Sequence, residues 1–145
     1  MFDSLAVFKD WWLTNKVMNV PEDAIHFYNK VSGLVLYRQD EFQVELFITQ
    51  PMTSGLSHIH PNVDSFEVHL GGDVAFKAYG QTFDQNKLGD SIRITPDCWH
   101  GGDFNERGGA FLSIQKWLNG VKPTSIVTDW LDIEQNVIGT VSSQV

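Results

Sequence analysis

The sequence predicts an all-β domain with a short helix at its N-terminal end. From residue 31 onward, short runs rich in Val, Ile, Phe, Leu and Tyr alternate with Gly, Asp, Asn and Pro, at a spacing of roughly ten residues. No long helical pattern separates these runs, which favours a sandwich or a barrel-like jelly roll over an α/β fold. A length of 145 residues suits a single domain with one core.

The predicted strands occupy the middle of the chain. They lie at 31–37, 42–49, 56–60, 66–70, 73–79, 91–95 and 110–117. Turns are expected at the sequences RQDE, GG, YGQT, NKLGD and GGDFNERGG, because these segments concentrate Gly, Asn and Asp. The strands define a core barrel of about residues 31–118 within one domain that spans 1–145.

The two ends of the chain differ from this middle. Residues 4–18 place apolar side chains at 5, 8, 12 and 13 behind a candidate Ser4 cap, which predicts a short helix. The tail sequence SIVTDWLDIEQNVIGTV predicts either an edge strand or another short helix. Trp11 and Trp12 are adjacent and cannot face the same way, so one of them is a candidate contact in a homodimer.

Composition excludes several classes of partner. Ten Lys and Arg against eighteen Asp and Glu give a net charge of −8, which repels phosphate backbones and anionic lipid surfaces. No uncharged apolar run approaches the ~20 residues of a membrane span, and the first thirty residues do not resemble a signal peptide. Cys98 is the one cysteine, so the chain cannot form an internal disulfide. We therefore expect a cytoplasmic protein that binds a small molecule, and neither nucleic acid nor membrane.

Histidines are the strongest functional signal in the sequence. His58 and His60 are separated by one residue, so on a β-strand both imidazoles point to the same face and can meet one cation. His69 and His100 follow within the predicted barrel, whereas His26 lies apart from this cluster. Taken alone, the spacing of the first pair also fits two surface histidines.

The segments around these histidines resemble the two motifs of the cupin superfamily. HIHPNVDSFEVHLGGD (58–73) has the His-any-His start, the short loop and the strand that ends in Gly. GDSIRITPDCWH (89–100) has the Gly-Asp start, the strand, the Pro-containing turn and the third His. The resemblance covers 28 of 145 residues. It implies a double-stranded β-helix, or jelly-roll barrel, that holds a divalent metal on three histidines and a carboxylate, often in a dimer.

The match departs from the family pattern at three positions. Met52 and Asp97 stand where the family usually has Gly. The third departure concerns the metal site, because aligning Gly72 with the family glycine places Ser65 on the position of the usual Glu ligand. Serine is a poor ligand for divalent metals. If Gly71 is the family glycine instead, Asp64 takes the carboxylate position.

Strand alternation distinguishes these two registers. With Gly71 as the anchor, apolar side chains face the lumen and polar ones face the packed outer side, which is costly. With Gly72 as the anchor, the outward set is apolar (Phe66, Val68 and Leu70) and the set that lines the cavity is polar (Ser65, Glu67 and His69). We prefer the second register, in which the long side chain of Glu67 reaches back toward the metal.

The expected ligand set is therefore His58, His60 and His100, with Glu67 as the fourth ligand. His69 is expected to transfer a proton, to orient a ligand or to substitute for one, and Glu67 is also a candidate catalytic residue. If Glu67 does not reach, a three-histidine face with open positions remains. Imidazole and carboxylate suit Fe, Mn, Ni, Zn or Cu, whereas Ca and Mg require more oxygen ligands.

The resemblance implies a metal-dependent enzyme, most readily of dioxygenase type, that acts on a small molecule in the lumen. The same fold hosts isomerases, epimerases, lyases and decarboxylases. Alternatives are therefore a cupin isomerase or lyase, or a non-catalytic sensor that binds a sugar or another small molecule. A further alternative is a cupin that has lost its metal and retains the histidines as polar groups of the cavity.

Overall fold

A computed structural model describes residues 2–28, 30–54, 58–118, 124–128 and 140–144. Across these residues the chain forms one helix and an antiparallel sheet of eleven strands, which curls into a partial barrel. The predicted all-β class is confirmed. The elements are α1 Leu5–Asn15, β1 Ile25–Tyr28, β2 Val31–Gln39, β3 Phe42–Thr49, β4 Thr53–Ser54, β5 His58–Ile59, β6 Val63–Ala78, β7 Gln81–Gln85, β8 Ser91–Ile94, β9 His100–Trp117, β10 Thr124–Thr128 and β11 Thr140–Gln144.

Helix α1 begins at the predicted Ser4 cap and ends at Asn15, inside the predicted segment 4–18. The Ser4 hydroxyl accepts a hydrogen bond from the backbone N–H of Val7 at 3.2 Å, which satisfies one free donor of the first turn. At the other end, Lys16 adopts a left-handed conformation and its N–H donates to the Trp12 carbonyl at 2.7 Å. No helix in the described part of the chain is long and apolar enough to span a bilayer.

The tryptophan pair packs inside the chain. The Trp12 side chain is buried, and its indole N–H donates to the Val17 carbonyl at 2.9 Å. Trp11 packs on Phe2 and Tyr37, with ring centroids 4.9 and 5.8 Å away. The helix therefore uses both rings to attach itself to the sheet.

The central strands β2, β3, β9 and β6 separate an apolar outer face from a polar inner face. Helix α1 covers the outer face, where it meets the buried side chains of Val44, Val68, Leu112 and Ile114. The alternate residues of the same strands point the other way, as strand geometry requires. The inner face carries buried polar side chains, which include Gln43, Glu45, Ser65, Glu67, Ser113 and Gln115.

The two glycine-rich segments that were predicted as turns are bulges within long strands. β6 continues through Gly71 and Gly72 for 16 residues, and β9 continues through Gly108 for 18 residues. Gly72 and Gly108 have φ of 75° and 66°, a left-handed backbone that costs glycine little. The register between β6 and β9 shifts at this place, so the strands bend while their pairing continues. The turn predicted at Gly71-Gly72 was wrong, whereas in the second segment residues 105–108 leave the pairing with β6 and the strand continues on both sides of them.

The other predicted strands agree with the structure to varying extents. Strands 31–37, 42–49 and 91–95 correspond to β2, β3 and β8 within one or two residues at each end. Of the predicted strand 56–60, only β5 is observed, since residues 55–57 lie outside the described part. The short strands β1, β4 and β7 were not predicted. In the tail, β10 pairs with β5 and β11, whereas Trp130 lies outside the described residues.

Candidate metal centre

Three of the predicted ligands converge on one point of the barrel. His58 begins β5 and lies directly opposite His100, the first residue of β9, while His60 follows β5. One ligand atom from each of the three residues lies within 4.8 Å of the others. The ring centroids of His58 are 4.8 Å from His60 and 4.2 Å from His100. Pairing between β5 and β9 therefore brings together two histidines that lie 42 positions apart in the sequence.

His100 is held in the protonation state that a metal ligand needs. The residue is 6% exposed, and Nδ1 of its ring donates to the Cys98 carbonyl oxygen at 3.0 Å. This hydrogen bond fixes the proton on Nδ1 and leaves the lone pair of Nε2 available. Burial and the neighbouring His58 ring hold the pKa of His100 well below its usual range. The imidazole is therefore neutral, the form that coordinates a cation.

Glu67 lies on the inner face of β6, outside this group of three histidines. Its Oε1 accepts hydrogen bonds from the hydroxyls of Ser65 at 3.3 Å and Ser113 at 3.1 Å. Its Oε2 is buried and has no hydrogen-bond partner among the described residues. Burial raises the pKa of the Glu67 carboxyl to about 7, although the two hydroxyls oppose this effect. Its roles as fourth ligand and catalytic residue stay predictions.

His69 shares the inner face of β6 with Glu67 and also lies outside the three-histidine group. Its side chain is only 1% exposed, and Nδ1 has no hydrogen-bond partner in the described part of the chain. Its backbone is fixed on both sides, because its N–H donates to Asp90 and its carbonyl accepts from Gly89. Its role in proton transfer or ligand orientation stays a prediction.

The alternative ligand Asp64 forms a salt bridge with Arg93 and not with the histidines. Its two carboxylate oxygens accept hydrogen bonds from the Arg93 side chain at 3.0 and 2.5 Å. Arg93 is exposed and also lies near the ring of Phe66, on the outer side of β6. The same outer side buries Val68 against helix α1, while Ser65 and Glu67 face inward. This arrangement matches the register anchored on Gly72.

Sequence reasoning missed the pairing of Glu45 with His26 inside the barrel. Glu45 on β3 is fully buried, and its Oε2 lies 2.9 Å from Nδ1 of His26 on β1. Burial raises the pKa of the Glu45 carboxyl, and the His26 hydrogen bond opposes that effect. The available signal was the alternation in FQVELFIT, where Gln43 and Glu45 interrupt an otherwise apolar strand at every second position.

Comparisons with known proteins identify the fold. No family profile and no curated protein matches the sequence. Among solved structures, an RmlC-like cupin from Shewanella frigidimarina is 14% identical, covers 72% of this chain and 88% of its own, and has a TM-score of 0.58. A sugar phosphate isomerase from a cupin superfamily, from Silicibacter pomeroyi, is 16% identical. The match covers 87% of this chain and 88% of that protein, with a TM-score of 0.60.

A predicted oxalate decarboxylase from Thermotoga maritima is 17% identical over 70% of this chain and 99% of its own, with a TM-score of 0.59. These proteins carry names of different reaction types, and at such identities the likeness concerns the fold alone. Sheet curvature, the convergence of the two histidine motifs and these structural matches agree. The chain therefore has the double-stranded β-helix fold of the cupin superfamily.

Proposed function

We propose that this protein is a metal-dependent enzyme that acts on a small molecule inside the barrel. The observation that carries the proposal is the convergence of His58, His60 and His100, whose ligand atoms lie within 4.8 Å of one another. Three imidazole nitrogen donors suit Fe, Mn, Ni, Zn or Cu. A bound ion of this kind would polarise a substrate oxygen or, for a redox metal, support oxygenase chemistry.

The protein's own residues fit such a site. The Cys98 carbonyl orients His100 through Nδ1, so the opposite nitrogen is directed away from that bond and available to a cation. Three protein ligands leave coordination positions open to substrate, which is the pattern of catalytic rather than structural sites. Oxygenase chemistry of the dioxygenase type is our first candidate reaction, because it requires open positions and no fixed carboxylate ligand.

Glu67 favours a second candidate, a lyase or isomerase. Its carboxyl has a pKa raised to about 7 by burial, so near neutral pH it is present in both the protonated and the charged form. A carboxyl of this kind can give or take a proton at a substrate atom. In that case Glu67 serves as the acid and base of the lumen, and the three histidines hold a metal that polarises the substrate.

Elemental analysis of purified protein tests the metal claim. We expect about one transition-metal ion per chain in the wild type, and large losses in His58→Ala, His60→Ala and His100→Ala. His26→Gln is the matched control, because His26 contacts Glu45 and lies outside the three-histidine group. Wild-type protein that neither contains a metal nor takes one up from added Fe(II), Mn(II) or Zn(II) would refute the proposal.

Oxygen consumption separates the two reactions. With Fe(II) bound, a dioxygenase consumes O₂ only when a substrate from a panel of small acids, diketones and thiols is present. A lyase or isomerase converts its substrate equally well under argon. If neither O₂ uptake nor substrate conversion occurs with a metal-loaded protein, a binding role without catalysis is the better description.

A further inference from the structure

The inner face carries a second polar region, which lies further along β9 than the three-histidine group. Glu45 on β3, Ser113 on β9 and Glu67 on β6 are direct cross-strand partners and form one row. Between this row and His100, β9 carries Phe104 and Phe111, whose parallel rings have their centroids 5.9 Å apart. We call this region the carboxyl zone, and it comprises Glu45, Glu67 and Ser113 with the next row of Gln43, Gln115 and Ser65.

The carboxyl zone is buried, yet its hydrogen bonds are incomplete. Glu45 and Glu67 are 0% and 7% exposed. One oxygen of each carboxyl is occupied, by His26 at 2.9 Å and by Ser113 at 3.1 Å. The other oxygen of each has no hydrogen-bond partner among the described residues. Buried acceptors are nearly always paired in folded proteins, so two on one face indicate a place for a donor from outside the chain.

The same face also offers groups that need an acceptor. Arg38 donates from Nε to Gln43 at 2.7 Å and from Nη1 to Asp23 at 2.8 Å, but its buried Nη2 has no partner in the described part of the chain. His69 lies near Glu67 on the inner face, and its Nδ1 likewise has no hydrogen-bond partner among the described residues. A ligand that satisfies this set must therefore donate and accept hydrogen bonds.

Charge and spacing narrow the class of ligand. Arg38, whose guanidinium contacts this zone through Gln43, is already paired with Asp23, so among the described residues a bound anion would meet two carboxyls without a free counter-charge. An ammonium group donates only and leaves Arg38 Nη2 unsatisfied. Glu45 and Glu67 belong to no group of three or more metal-ligating side chains among the described residues, so a divalent ion would lack the ligands it needs there. Hydroxyl groups satisfy both donors and acceptors without adding charge.

We propose that the carboxyl zone binds a neutral, hydroxyl-rich small molecule, a sugar or polyol, through the free oxygens of Glu45 and Glu67. Phe111, the cross-strand partner of His69, is half-buried and would give the C–H surface of such a ligand an apolar neighbour. This inference rests on the proposed function, because it assigns the substrate class of the lumen in which the three histidines hold the metal.

Three probes of one shape test the class. D-glucose, D-glucuronate and D-glucosamine share a ring and differ in one substituent that is neutral, anionic or cationic. Calorimetric titration of metal-loaded and EDTA-treated protein is expected to give a dissociation constant near or below about 1 mM for glucose. Glucuronate and glucosamine are expected to bind at least about tenfold more weakly, because each leaves a buried partner unsatisfied or meets like charge.

Matched variants locate the binding. Glu67→Gln and Glu45→Gln are expected to weaken glucose binding about tenfold or more. Glu22→Gln makes the same chemical change at an exposed residue and is expected to bind glucose like the wild type. Thermal melts establish that each variant folds. If one carboxyl variant does not fold, the other and Ser113→Ala, which removes the hydroxyl that holds Glu67, give the same information.

Several outcomes would overturn the inference. They are undetectable glucose binding, glucuronate or glucosamine binding as tight as glucose, and glucose binding that neither carboxyl variant changes. Metal content measured on the same samples separates this failure from that of the proposed function. Metal-loaded protein without glucose affinity refutes the ligand class alone, whereas glucose binding that depends on Glu67 in a protein unable to hold metal refutes the metal site alone.

Discussion

The hydroxyl of Ser113 on β9 donates to Oε1 of Glu67 on β6, across 3.1 Å in the interior of the barrel. This contact links the two longest strands of the fold and lowers the pKa of a carboxyl that burial raises to about 7. A buried carboxyl with one occupied and one free oxygen is both a cost to stability and a reactive group.

Replacing the hydroxyl should raise the pKa of Glu67. In Ser113→Ala the carboxylate loses a donor that favours its charged form, so its pKa moves further above about 7. Carboxyl carbon shifts in an NMR titration of metal-free protein measure this pKa directly. Ser91→Ala, an exposed serine on β8, is the matched control and should leave the titration unchanged. A downward shift in Ser113→Ala would contradict the assignment of the hydrogen bond.

Stability of the metal-free protein should fall as pH rises toward neutrality because of Glu67. Its folded pKa of about 7 exceeds the ordinary value of 4.5, so the folded state binds more protons between these values. The free energy of unfolding therefore decreases as pH rises through this window, by at most about 3 kcal/mol. Denaturant unfolding of wild type and Glu67→Gln from pH 4.5 to 8 isolates this contribution. A difference between them that does not change with pH would contradict it.

Metal content should discriminate between the two carboxylates near the first motif. Asp64 is paired with Arg93 on the outer side of β6, so Asp64→Ala should retain the metal in full. Glu67→Ala tests the predicted fourth ligand, and a loss of metal in that variant would establish Glu67 as a ligand. Equal metal content in both variants would leave the three histidines as the ligand set. Metal loss in Asp64→Ala alone would overturn the register anchored on Gly72.

Adjacent glycines at the bulge of β6 should differ sharply in tolerance. A Cβ at Gly72 would overlap the Gly108 carbonyl oxygen, and its φ of 75° strains any other residue. A Cβ at Gly71 meets nothing within 4 Å. We expect Gly72→Ala to lower the free energy of unfolding by about 2 to 4 kcal/mol, and Gly71→Ala to change it little. Similar losses in both variants would show that the bulge does not depend on close backbone approach.

An exposed apolar patch on the outer face of β1 to β3 predicts where a homodimer would form. Cross-strand pairing brings its members together on neighbouring strands. They are Ile25 (65% exposed), Phe27 (77%), Leu34 (37%) and Ile48 (55%). β1 is at one end of the described strand order, so its outer edge is available to the same strand of a two-fold related copy. The predicted contact thus involves this patch rather than the tryptophans of α1.

Sedimentation velocity tests the patch with two charge insertions. Phe27→Asp should convert a dimer to a monomer, because it places a carboxylate in the centre of the apolar contact. Leu88→Asp changes a side chain of similar exposure, 78%, on the loop before β8 and should leave the dimer intact. A monomeric wild type, or a Phe27→Asp variant that remains dimeric, would contradict the prediction.

Several features of the fold and site could be predicted from local sequence because local geometry determines them. Alternation placed Ser65 and Glu67 inside and Val68 outside, since a strand reverses its side chains at every residue. The Gly71-Gly72 segment was misread, because a glycine pair suits a turn and a bulge equally well. Only the pairing of β6 with β9, which continues on both sides, selects the bulge.

The chain's own sequence determined the all-β class, the Ser4 cap of α1 and the common face of His58 and His60, because each depends on neighbours a few residues apart. Tertiary structure alone decided the rest. It brought His100 to the first two histidines through strand pairing and placed His26 against Glu45. That second contact depends on Gly33, where a Cβ would come within 2.5 Å of the Glu45 carboxylate, and such space is a property of packed strands.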